Sequence, residues 1–169
     1  RTMSLYDFSV PQFIKTLGNL DKWFDKAEAH AAAKKFDPAV YLTLRLAPDQ
    51  LPFVKQVHIA TDSAKLGVSR VTGKAAPTFE DNETTLAQLR ERIQKTIAFL
   101  QSVTPVDFEG AATRVVERPD GTKILGQDQL IQHTIPTFFF HAVTTYAILR
   151  HNGVDLGKKD YLGALKLIG

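Results

Sequence analysis

The chain has 169 residues, a formal net charge of +3, 44% apolar and 23% charged residues, and no cysteine. These totals predict one globular domain over residues 1–169 and argue against disorder, while the missing cysteines exclude disulfides, thiol nucleophiles and thiolate metal sites and fit a cytoplasmic protein. Lys and Arg are dispersed, with Lys34-Lys35 and Lys158-Lys159 the only adjacent pairs, and no run approaches about 18 apolar residues, so neither a nucleic acid nor a membrane is an expected partner.

No basic-then-apolar leader is visible, and Met3 reads as the natural start, with Arg1 and Thr2 as additions. The first helix opens around Ser9, with Ser9 and Gln12 spaced as a capping box and Phe8 and Phe13 as a hydrophobic staple. Phe13, Leu17, Leu20, Phe24 and Ala27 then recur every three or four residues, and the helix runs to about Ala33 before Phe36-Asp37-Pro38. Trp23 is off that stripe, either as an interface anchor at the surface or beneath the C-terminal tail. From Ala39 to Leu46 apolar and polar residues alternate, which predicts an extended link lying on the helices.

A second helix begins between Ala47 and Pro52, carries Phe53, Val57, Ala60, Ala64, Val68 and Val71, and stops at Gly73. A polar linker, 74–83, follows, and its Glu80, Asp81 and Glu83 read as solvated acids. The third helix starts at Thr84 or Thr85 and presents Leu86, Leu89, Ile93, Ile97 and Leu100. Two short strands around Arg118-Pro119-Asp120-Gly121 predict a β-hairpin that leans on the bundle. The fourth helix spans about Asp128 to Arg150, with Pro136 inside it and a stop at Asn152-Gly153. Its Phe138-Phe139-Phe140 run predicts a helix passing through the interior. The fold class is therefore all-α, a four-helix bundle with a small β-hairpin between the third and fourth helices.

Five histidines carry the possible chemistry: His30, His58, His133, His141 and His151. His58 lies within an apolar helix and has Asp62 one turn on, while His141 has Thr145 one turn on. These four, with His30 among the alanines ending the first helix, are the expected pocket residues. His58, Asp62 and His141 converging between the second and fourth helices would suit zinc, nickel, iron or manganese. The same residues suit a buried hydrogen-bonded network without metal, which is the favoured reading because a catalytic zinc usually takes three protein ligands. No glycine-rich phosphate loop, Gly-x-Ser-x-Gly or His-Glu-x-x-His is present, so the residues by themselves assign no reaction.

Phe138-Phe139-Phe140-His141, then Tyr146 to Val154 and Gly157 to Gly163, resemble the C-terminal signature of an uncharacterised bacterial family. Arg45-Leu46-Ala47-Pro48-Asp49 and Phe79-Glu80-Asp81-Asn82-Glu83-Thr84 are similar to further segments of it. That family is similar to the DinB/YfiT-like superfamily of four-helix bundles, which includes proposed metal-dependent enzymes and many dimers. The superfamily pattern is one histidine on the second helix and a later His-x-x-x-His pair. His58 matches the first and His141 one member of the pair, but Thr145 and Thr137 stand where the other would be. The incomplete set favours a metal-free bundle that binds a small molecule or acts as a homodimeric interaction protein. The alternative is a metal-dependent enzyme.

Overall fold

The computed structural model describes residues 2–168, so Arg1, read above as an addition, and Gly169 lie outside it. Helix α1 spans Leu5–Lys34, 30 residues, or about 45 Å at 1.5 Å per residue. It begins a turn earlier than the sequence predicts. Ser4 is the cap: its backbone N–H donates to Asp7 Oδ2 at 2.8 Å and its hydroxyl to the same oxygen at 2.9 Å. Pro11 therefore sits inside the helix, where it removes one main-chain donor, and Ser9 bonds back to Leu5 O at 2.6 Å. Phe8, assigned to a staple by its spacing, is instead exposed. The helix ends with Lys35 in the left-handed conformation and Phe36 N–H returning to Ala31 O.

The predicted extended link is a 3-10 helix, Pro38–Thr43. Asp37 overrides the alternating pattern by accepting the Ala39 N–H at 2.8 Å, and Pro38 supplies the dihedral of a first turn. Helix α2 is Phe53–Thr72 and stops at Gly73 in the left-handed region (φ 79°), as the sequence predicts. Every residue of its expected stripe, from Phe53 to Val71, is fully buried. Helix α3, Leu86–Gln101, starts from Thr85, whose hydroxyl accepts the Gln88 N–H while Gln88 Oε1 accepts the Thr85 N–H. The hairpin pairs β1 (Val115–Glu117) with β2 (Lys123–Leu125) antiparallel, Val116 opposite Ile124, and Val116 seals it onto the core.

The fourth long helix departs from its expected regularity. It opens with a turn at Gly126–Asp128, widens into a π-helix over Gln129–Thr134, and becomes α-helical as α4, Ile135–His151. Pro136 offers no N–H to the carbonyl four residues back, and the wider turn directly precedes it. The π segment also packs tightly on α2: a Cβ on Gly67 would lie 2.2 Å from Thr134 Cγ2, so glycine is what lets the two approach. Helix α4 is not enclosed as the Phe run predicts. Phe138 is fully buried, but Phe140 is 59% exposed, because residues two apart in a helix are turned about 200° from each other. The chain closes with α5, Lys158–Leu162. Trp23 is buried beneath this tail: its Nε1 donates to Asp160 O at 3.0 Å and its ring stacks on Tyr161. It is thus not a surface anchor. No helix among the described residues is long and apolar enough to cross a membrane.

Candidate functional site

Two polar centres lie on opposite sides of α2. Gln56 and His58 are two residues apart, which on a helix is a rotation of about 200°. Gln56 therefore faces α4, and its Oε1 lies 2.6 Å from His141 Nδ1, while its Nε2 donates to Leu51 O at 2.9 Å. Thr145, fully buried, turns its hydroxyl back to His141 O at 2.8 Å. Burial pushes the His141 imidazole below its ordinary pKa, so the ring is neutral at pH 7 and donates from Nδ1 to the Gln56 amide oxygen. The residue of α2 that meets His141 is thus an amide, not His58 or Asp62.

His58, 3% exposed, turns the other way, toward α3 and the connection from Gly73 to Thr85. Its Nε2 lies 2.7 Å from Glu83 Oε2 and its Nδ1 3.8 Å from Asp81 Oδ1. Asp81 has φ 57°, a left-handed conformation that aspartate tolerates better than most residues, within the turn that brings both acids over α2. Arg92, on α3 and 2% exposed, occupies the middle. Its NH1 is 2.5 Å from Asp81 Oδ1 and 3.1 Å from Glu83 Oε1, and its NH2 is 2.8 Å from Asp62 Oδ1. Its Nε donates to Thr61 Oγ1 at 2.8 Å. Lys65 adds a second cation 3.2 Å from Asp62, and Lys65 and Arg92 each stand 4.6 Å from the centre of the Phe79 ring.

The charges follow from this packing. Burial, then the Arg92 charge, pushes the His58 pKa down, outweighing the nearby acids. Burial opposes ionisation of Asp81 and Glu83, but hydrogen bonds to their charged forms, from Arg92 to both and from the backbone to Glu83, hold both below the usual carboxylate range. A cleft of about 340 Å³ opens beside this centre between residues 78–83 and α3, with Phe79, Glu80, Glu83, Glu91, Arg92 and Lys95 among its lining.

Among the described residues, the donor atoms that lie within 4.8 Å of one another in a metal-like group are those of His58, Asp81 and Glu83. Of the expected set, His58 alone belongs to it; Asp62 is bound to Arg92 and Lys65, and His141 to Gln56. His30 packs elsewhere, against Phe36 and the Gly153 turn, where a Cβ would come within 3.1 Å of its ring. Sequence reading missed Gln56, Asp81, Glu83 and Arg92. Arg92 had a signal, since Leu89, Arg92 and Thr96 fall at helical spacing within the buried stripe. A buried arginine demands carboxylates, which the 80–83 segment supplies.

Replacing His141 by Phe leaves the buried Gln56 amide without its partner and is expected to cost on the order of 1–3 kcal/mol. Urea unfolding of the variant and parent measures this, and equal midpoints would show that the Gln56–His141 bond contributes nothing.

Comparison with known proteins agrees with this fold. No curated protein matches the chain. A crystal structure of a DinB family member protein from Shewanella denitrificans superposes with a TM-score of 0.94 at 49% sequence identity, covering 98% of this chain and 95% of that one. The family model for a domain of unknown function, DUF1993, matches residues 5–162. The chain therefore belongs to the DUF1993 family, a DinB-like family of helical bundles.

Proposed function

We propose that the protein is a metal-free bundle that binds a small polar ligand in the cleft over Glu83 and Arg92. The observation that carries this reading is the Arg92 guanidinium. It is an internal cation already set on Asp62, Asp81 and Glu83, the carboxylates that a divalent ion would need. An ion about 2 Å from the oxygens of Asp81 and Glu83 would sit within about 5 Å of that guanidinium, a repulsion of several kcal/mol at an effective dielectric of about 20. At the α2–α4 position the Gln56–His141 pair offers one imidazole and an amide, a poor set for zinc, nickel, iron or manganese. His58, Asp81 and Glu83 have the right chemistry, but Arg92 already holds one oxygen of each acid and brings its own positive charge to the place a metal would take.

The test is elemental analysis of protein purified without a histidine tag and dialysed against micromolar zinc. Less than about a tenth of an equivalent is expected, whereas Arg92→Gln, which frees the acids, should gain zinc. Stoichiometric metal in the parent would overturn the reading in favour of a metal-dependent protein.

A second reading, self-association, is favoured by a separate observation. Phe140 and Val143, one turn apart on α4, are 59% and 45% exposed. Two copies pairing along α4 would cover them in a two-fold interface. Light scattering is expected to give a dimeric mass that falls for Phe140→Asp, and a monomer throughout a micromolar dilution series would exclude the homodimer.

A further inference from the structure

The far end of α2 carries a second cavity, lined by cations. Arg70 stands twelve residues beyond His58, about 18 Å along the helix at 1.5 Å per residue. The cavity, of about 240 Å³, is lined by Arg70, Arg118, Pro119, Gln129 and His133, and none of these lines the cleft over Glu83 and Arg92. Three elements build it. The close contact of Gly67 with Thr134 brings the π turn onto α2, with Arg70 about one turn after Gly67 and His133 directly before Thr134. Arg118 comes from the hairpin turn, where its N–H donates to Thr122 O at 2.8 Å and its carbonyl accepts the Gly121 N–H at 2.9 Å.

The lining holds two guanidinium groups and no acid. Arg70 and Arg118 are half-buried. Among the described residues the arginine ion pairs belong to Arg90 and Arg92, and neither the Arg70 nor the Arg118 guanidinium has a hydrogen bond or an ion pair. Asp120, in the same turn as Arg118, feels that charge but gives its Oδ1 to the Thr122 N–H and hydroxyl, at 3.0 and 2.6 Å. Burial, then the charges of Arg118 and Arg70, push the His133 pKa down, so its ring is neutral at pH 7. Gln129, 2% exposed, places its Nε2 3.2 Å from His133 Nδ1, which accepts and leaves the ring's proton on Nε2. Two guanidiniums without a carboxylate repel one another, and each presents a planar fork of donors suited to phosphate. A dianion with several acceptor oxygens answers both charges and the free N–H groups. The volume falls below the roughly 300–1,000 Å³ of drug-sized sites, which restricts the ligand to a small one. Gln129 and His133 stand on a π turn, a feature that recurs at functional sites.

We propose that this cavity binds the phosphate group of a small phosphomonoester, held by Arg70 and Arg118 with the His133 imidazole as a further donor. The site is separate from the cleft over Glu83 and Arg92 and does not depend on what that cleft binds. The test is calorimetric titration of the full chain at pH 7 with glycerol 3-phosphate and inorganic phosphate. Glycerol and acetate are the neutral and singly charged controls, and vesicles of phosphatidic acid in phosphatidylcholine form a separate arm. Both phosphates are expected to bind below about 1 mM, more weakly as salt is raised, with no heat from the controls. Arg70→Gln and Arg118→Gln should each weaken binding at least tenfold. Lys159→Gln, which removes an exposed positive charge outside the cavity, should leave it unchanged. If Arg70→Gln does not fold by circular dichroism, Arg118→Gln, on the hairpin turn, decides. No binding of either phosphate, equal binding of acetate, or an equal loss in Lys159→Gln would overturn the inference. Vesicle binding without binding of the free phosphates would overturn it in favour of a lipid surface.

Discussion

The guanidinium of Arg92 ties three parts of the chain together at one point. Through Asp62 and Thr61 it holds α2, through its own backbone it belongs to α3, and through Asp81 and Glu83 it fixes the connection between them. Such a centre is not a simple gain in stability. Burying the Arg92 and Glu83 charges is costly, and a well-packed apolar cluster of equal volume often does as well. Its consequence is specificity. Once Arg92 is buried, the acids have one place to be, and the connection from Gly73 to Thr85 becomes a fixed wall of a cleft instead of a solvated linker. Breaking one partner then leaves uncompensated charge in the interior, and this makes the arrangement hard to lose piecemeal.

The helices were legible because their signals are local. The stripe of α2, its stop at Gly73, the Thr85 cap and the Arg118–Gly121 hairpin each depend on residues within a few positions of one another. Where two local signals competed, the pattern misled. Asp37-Pro38 outweighed the alternation from Val40 to Leu46, and Ser4 with Asp7 started α1 ahead of Ser9. The widening over Gln129–Thr134 was visible only as Pro136, because a proline announces a disturbed helix without saying how the neighbouring turns adjust.

The site was less legible because it depends on which way α2 faces. His58 and His141 each look like interior histidines, and the spacing of His58 and Asp62 is sound, but a rotation of about 200° separates His58 from Gln56, the residue that meets α4. The relevant warning was already in the sequence: His58 follows Val57 and flanks the stripe. Asp81 and Glu83 read as solvated acids because nothing within the linker itself reveals a partner nine to eleven residues ahead. The fold is shared with DinB-like relatives, yet functions are grafted onto folds, and here a guanidinium stands among the carboxylates beside the second-helix histidine.

If the Arg92 fork is what fixes this centre, charge alone cannot replace it. Lysine keeps the positive charge but loses the planar set of donors that spans Asp62, Asp81, Glu83 and Thr61. Urea unfolding of Arg92→Lys at pH 7 is the most direct measurement. A loss of at least about 2 kcal/mol relative to the parent is expected. A variant as stable as the parent would contradict the account, since a point charge would then hold the three segments as well as the guanidinium does.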